Sequence, residues 1–137
     1  MDDIRDSLID VYANALGIAE QSYEMMGRLL DKEHLKKRIA SLDIKELYIY
    51  GGGYLGIQAY QSCSDLLKIP AIIDKRGGLL LNIPDIPVIN LKELKNIYRG
   101  ETIVITPIKY YEDIKKELAS FIPENKVIFL GEFLEGI

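Results

Sequence analysis

Gly51, Gly53 and Gly56 have the spacing in this chain that most directly suggests chemistry. They follow a β-rich run, Leu47-Tyr48-Ile49-Tyr50, and lead at once into a helix-compatible segment. Between a strand and a helix, G-x-G-x-x-G is a phosphate-binding turn. Gly51 lets the chain reverse immediately after the strand. A side chain at Gly53 would block approach of a pyrophosphate to the backbone, and Gly56 lets the helix pack closely on the strand. Gly52, Tyr54 and Leu55 complete the turn, with Tyr54 either covering the phosphates or filling surface. The free N–H groups of the first helical turn, with the helix dipole, favour an anion by about 0.3–2 kcal/mol. The plainer alternative is a tight turn that holds no ligand.

An acid in the right place strengthens the pattern. Asp74 ends the next apolar run, Ile69-Pro70-Ala71-Ile72-Ile73, about 18 residues beyond Gly56. A carboxylate there accepts hydrogen bonds from both hydroxyls of a ribose and opposes a 2′-phosphate. Lys75 and Arg76 beside it would tolerate one. The plainer reading of Asp74 is a turn cap. Thr106 and Pro107, at the end of Thr102-Ile103-Val104-Ile105, are expected to line the other side of the same crevice.

Other reactive side chains fit packing better than catalysis. Tyr111 and Lys115 form a Tyr-x-x-x-Lys pair like that of short-chain dehydrogenases, in which the Lys lowers the Tyr pKa. Here the pair follows a strand directly, on an ordinary amphipathic helix, without the expected intervening strand and Ser. Cys63 falls mid-helix and reads as a packing residue, and His34 as a solvated one among charges. One Cys excludes an internal disulfide, and with one His there is no plausible His/Cys metal cluster. No P-loop Lys, nucleophile elbow or paired carboxylates appear, so no catalytic or metal-binding residue is assigned.

The elements around these residues come from an ordinary globular composition. The 137 residues are 48% hydrophobic and 28% charged, enough for one domain with a real core. A net charge of −4 disfavours nucleic acid and anionic membrane as partners. The acidic start lacks a signal-peptide apolar block, and no apolar run approaches the ~18 residues of a membrane span. A cytoplasmic location is expected.

Two segments precede the glycine turn. From residue 3 to about 30, Ile9, Leu16, Tyr23 and Leu30 recur every seven residues, with Tyr12, Ala19 and Met26 between them. A second row, including Ile4, Leu8, Val11, Ala15, Ile18, Met25 and Leu29, widens the apolar stripe. Such a helix of roughly 28 residues is about 42 Å long, longer than a domain of this size easily covers. It either lies on its own domain or is an oligomerisation helix with two faces to bury. Asp31–Leu42 reads as a second helix. From Lys45 onward, strands and helices alternate. Strands are expected at Leu47–Tyr50, Ile69–Asp74, Pro87–Ile89, Thr102–Thr106 and Lys126–Leu130. Helices are expected from Gly53 to about Leu67, at Leu91–Tyr98 behind an Asn90 N-cap, and at Tyr110–Phe121. Lys75–Gly78 reads as a turn, and Leu79–Asp85 as a small hairpin or irregular crossover. Short right-handed crossovers imply an α/β fold: a Rossmann-like parallel five-stranded sheet of order 3-2-1-4-5 at residues 44–137, behind an N-terminal helical extension at 1–43. The glycine turn then sits at the switch point between strands one and four.

Tyr48–Gly56, Ile72–Arg76, Ile86–Ile89 with Leu91–Leu94, and Thr102–Thr106 resemble one bacterial group. These are the small Rossmann-like domains of surface-polysaccharide and sugar-nucleotide enzymes. They precede amino-sugar acetyltransferases and also occur in dehydratase/epimerase relatives and beside some methyltransferases. The resemblance covers about Ile44–Leu130 and does not include the first helix. It implies that Gly51, Gly53, Gly56 and Asp74 contact a nucleotide: NAD(H), NADP(H) or a UDP-sugar. Asp85 departs from it, standing where a Gly commonly precedes Ile-Pro-Val. The expected role is a binding or regulatory module. The alternatives are an NAD(P)-dependent oxidoreductase or sugar-nucleotide-modifying fragment completed by another chain, and a ligand-free structural protein assembled through its first helix.

Overall fold

The computed structural model describes residues 2–75 and 85–135. Arg76, the Gly77-Gly78 turn and the Leu79–Pro84 segment lie outside those residues.

Helix α1 runs unbroken over Asp2–Leu30 and α2 over Lys32–Leu42, with Asp31 between them as N-cap. Then come β1 (Leu47–Tyr50), α3 (Tyr54–Cys63), β2 (Ile72–Ile73), β3 (Val88–Ile89), α4 (Leu91–Ile97), β4 (Thr102–Ile105) and α5 (Tyr111–Leu118). A single 3₁₀ turn at Glu124–Lys126 leads into β5 (Val127–Phe129) and a short α6 (Leu130–Phe133). The strands form one parallel sheet of order β3-β2-β1-β4-β5. The α/β fold and strand order expected from the alternating pattern are those observed.

The apolar runs form strands because both sheet faces are covered, as parallel strands require. All four residues of β1 are buried, and their side chains alternate between two cores. Leu47 and Ile49 join Val104 and Ile72 on the face covered by α1, α2, α3 and α6. Tyr48 and Tyr50 join Ile73, Ile103 and Ile105 on the face covered by α4 and α5. Asn90 caps α4 with a complete capping box. Its side chain accepts Glu93 N–H at 2.9 Å, and the Glu93 carboxylate accepts Asn90 N–H at 3.4 Å.

The helical extension is built into this core. Met25 and Leu29 of α1, with Leu35 and Ile39 of α2, are buried in the same cluster as Leu47 and Phe133. Each such side chain stabilises the fold by about 1.5–3 kcal/mol. Toward its N-terminus α1 leaves that support, and Leu8, Ile9, Val11, Tyr12 and Leu16 are exposed, as are Tyr23 and Leu30 farther along.

Helix α3 ends at Cys63, earlier than the sequence pattern suggests. Its last turn tightens, with both Leu66 N–H and Leu67 N–H donating to the Cys63 carbonyl. Leu67 still reaches the core, so its apolar spacing continued past the helix end. Asp85 has φ +71°. This is the left-handed conformation that a glycine adopts without steric cost, at the position where the resemblance led one to expect glycine.

Candidate functional site

Strand register assembles the site. Tyr50 pairs with Ile73 on one side and with Ile105 on the other. The next residue of each strand is therefore Gly51, Asp74 or Thr106, all brought to the carboxyl edge where the sheet changes winding direction. In open α/β sheets this is where ligands bind.

Each glycine has a distinct environment. Gly51 has φ +116°, and a Cβ there would stand 2.9 Å from Pro107 Cδ and closer still to the Thr106 hydroxyl. A Cβ on Gly56 would lie 1.8 Å from the Gly51 carbonyl oxygen. That contact is what keeps α3 close against the turn. Gly53 is the N-cap of α3 in an extended conformation, and its Cβ would meet nothing within 4 Å. Open space therefore lies beside the first turn of α3, where backbone N–H groups lack intrahelical partners. Leu55 turns into the core, whereas Tyr54 is exposed.

Asp74 is buried, and its Oδ2 accepts the Gly52 N–H at 2.9 Å. One carboxylate oxygen thus holds the glycine turn against the end of β2. Thr106 is also committed to the turn: its hydroxyl donates to the Tyr50 carbonyl at 2.9 Å, and so does its own N–H at 3.0 Å. Lys75 is exposed, and its Nζ donates to Glu117 Oε1 at 2.7 Å. That bond raises the Lys75 pKa.

Two cavities flank the line from Gly51 to Pro107. The larger, about 490 Å³, lies toward α5 and is bounded by Tyr50, Gly51, Asp74, Lys75 and Pro107 with Tyr110, Asp113 and Ile114. The smaller, about 260 Å³, lies over the start of α3. It is walled by residues 53–56, by Thr106–Tyr110, and by Ile18 and Ser22 of α1. A third hollow of about 670 Å³ opens at the opposite edge of the sheet, around Asp43–Glu46 and Arg99–Thr102. Its cations and acids are mixed, and it is far from the glycine turn.

The structure thus brings the glycine turn, Asp74, Lys75 and Thr106 together, while Arg76 lies outside the described residues. Sequence reasoning missed Tyr50, Tyr110 and Asp113, which reach the crevice from the strand and helix ends beside it. The rule that loops at the carboxyl edge bind ligands could have singled out Tyr110 and Asp113. No sequence signal marked Ile18 or Ser22.

No protein-family model and no curated protein matches the chain. The sheet order alone establishes a Rossmann-like topology.

The remaining reactive groups lie elsewhere. Tyr111 packs on Phe129, with ring centroids 5.0 Å apart, and Lys115 Nζ sits 5.9 Å from the Tyr111 centroid and 3.4 Å from Glu124. Neither residue borders the two crevice cavities. Burial raises the Tyr111 pKa, and Lys115 only partly offsets this, the reverse of an activated tyrosine. Burial also pushes the Cys63 thiol up to about 12, as for an inert core cysteine. The His34 side chain is half-exposed, 3.9 Å from Asp31. Among the described residues no group of His, Cys, Asp or Glu is arranged to hold a metal, and no helix is long and apolar enough to cross a membrane.

Proposed function

We propose that this chain is a nucleotide-binding module whose ligand is NAD(H), NADP(H) or a nucleotide-sugar, acting in bacterial sugar-nucleotide or polysaccharide metabolism. The observation that carries the reading is the open space at Gly53. It adjoins the first-turn N–H groups of α3 and opens into the smaller cavity at the sheet's switch point. Such a turn suits phosphates, with a nucleoside on the Asp74 side. The choice of ligand class rests on the resemblance of Tyr48–Gly56 and Ile72–Arg76 to sugar-nucleotide proteins. A binding or regulatory role fits better than catalysis because the Tyr111/Lys115 pair points away from the crevice.

The test is a thermal-shift titration of the full chain with NAD⁺, NADP⁺, UDP-GlcNAc, CoA and S-adenosylmethionine. The reading expects at least one nucleotide to raise Tm, and no shift at millimolar concentration for any of them overturns it.

A second copy of the chain is the partner this reading assigns to α1. What supports it is the row of exposed Leu8, Ile9, Tyr12, Leu16 and Tyr23, whose sequence spacing suits helix pairing.

A further inference from the structure

Tyr50 is the last residue of the central strand, is 3% exposed, and borders the 490 Å³ cavity. Its hydroxyl is buried and, among the described residues, has no hydrogen-bond partner. An unmatched buried hydroxyl is unfavourable, and phenylalanine would pack equally well there without that cost. The backbone of Tyr50 is fully used, its carbonyl accepting both donors of Thr106. The side chain lies on the α5 side of the sheet with Ile114 and Leu118.

The charges around the cavity indicate which part of a ligand belongs there. Asp113 presents a carboxylate, Asp74 is engaged with the Gly52 N–H, and the Lys75 cation is paired with Glu117. Among the described residues of the lining, the cation a phosphate would need, Lys75, is already paired. A flat neutral heterocycle would meet apolar surface from Pro107 and Ile114, the Tyr50 hydroxyl as a donor, and the Asp113 carboxylate as an acceptor. Burial, reinforced by Glu117 and Asp74, pushes the Tyr50 hydroxyl up to about 12. It is therefore a neutral donor across the physiological range.

Building on the nucleotide-binding reading, we infer that Tyr50 is a specificity residue whose hydroxyl donates to the base of the bound nucleotide. The base sits in the cavity between Asp74 and Tyr110, and the phosphates lie across Gly51 at the start of α3.

The experiment compares Tyr50→Phe with the unaltered protein, measuring Kd for UDP, ADP and inorganic pyrophosphate by calorimetry and Tm without ligand. Pyrophosphate occupies only the phosphate half of the site. The expected result is about three- to tenfold weaker binding of UDP or ADP by the variant. Pyrophosphate affinity should be unchanged, and Tm equal or higher. Equal UDP and ADP affinities in the two proteins overturn the assignment of Tyr50 and leave the nucleotide-binding reading standing. Parallel weakening of pyrophosphate, or a lower Tm of the free variant, places the hydroxyl in support of the turn and overturns the assignment as well. If the unaltered protein binds pyrophosphate but neither UDP nor ADP, the base site is refuted while the anion site survives. If it binds none of the three, both fall.

Discussion

The Gly52 N–H and the Asp74 carboxylate meet at 2.9 Å, out of solvent, across the ends of two adjacent strands. Asp74 is thus part of the scaffold of the crevice as well as of its wall. Asp74→Ala leaves a buried N–H without its charged acceptor and should cost about 1.5–3 kcal/mol. Asp74→Asn keeps an acceptor and should cost less. Urea unfolding midpoints of the two variants distinguish these outcomes, and two unchanged midpoints would show that the turn is held by other contacts.

The glycines of the turn should separate stability from binding. In Gly56→Ala the new methyl stands 1.8 Å from a backbone oxygen, so α3 must shift, at a cost of at least about 1–3 kcal/mol. Gly53→Ala meets open space at an ordinary φ of −74° and should change stability by no more than about 0.5 kcal/mol. Its methyl does enter the space assigned to phosphates, so nucleotide and pyrophosphate affinity should fall at least about tenfold. Melting curves with and without ligand read both effects from the same samples.

Asp85→Gly is expected to stabilise the protein. The native residue holds φ +71°, a conformation that costs a non-glycine residue about 1–2 kcal/mol, with aspartate among the more tolerant. Added freedom of the unfolded chain offsets part of the gain. A Tm that holds or rises slightly is the predicted result, and a clear fall would mean that the Asp85 side chain contributes a contact of its own.

Alkaline pH should destabilise the fold. Burial raises the Cys63 thiol from 9.0 and the Tyr50 hydroxyl from 10.0, each to about 12. The unfolded chain releases both protons first, so between those values the folded state binds more protons and stability falls as pH rises. This contribution is complete below pH 9, declines first through Cys63, steepens above pH 10 as Tyr50 joins, and levels near 12. The total is at most on the order of 7 kcal/mol. Urea midpoints from pH 8 to 11 test the slope, and Cys63→Ala should flatten its beginning.

The proposed pairing of two copies through the exposed row on α1 has a direct test. A chain beginning at Gly17 keeps Met25 and Leu29 in the core but loses Leu8, Ile9, Val11, Tyr12 and Leu16. It should stay folded and drop to monomer by light scattering. Removing everything before Asp31 would also empty the Met25 and Leu29 positions, confounding assembly with unfolding. An unchanged mass for the Gly17 variant removes this helix from any role in assembly.

The sheet was legible because its signals are local. Runs such as Thr102–Ile105 are too uniformly apolar and β-branched to belong anywhere but between two covered layers, and Asn90 with Glu93 marks a helix start by chemistry alone. The glycine turn was legible for the same reason. The bonds that define the site were not. That Asp74 holds Gly52, that Thr106 holds the Tyr50 carbonyl, and that Tyr50 is buried without a partner all depend on register between strands distant in sequence. The heptad-like spacing of α1 contained two messages, and only burial separates its core residues from its exposed row.

Ile18 and Ser22 border the smaller cavity, while the same helix continues uninterrupted to Asp2. One continuous helix therefore carries both a wall of that chamber and the exposed Leu8, Ile9, Tyr12 and Leu16. A partner seated near Tyr12 and a ligand in the chamber above α3 would thus share a single element.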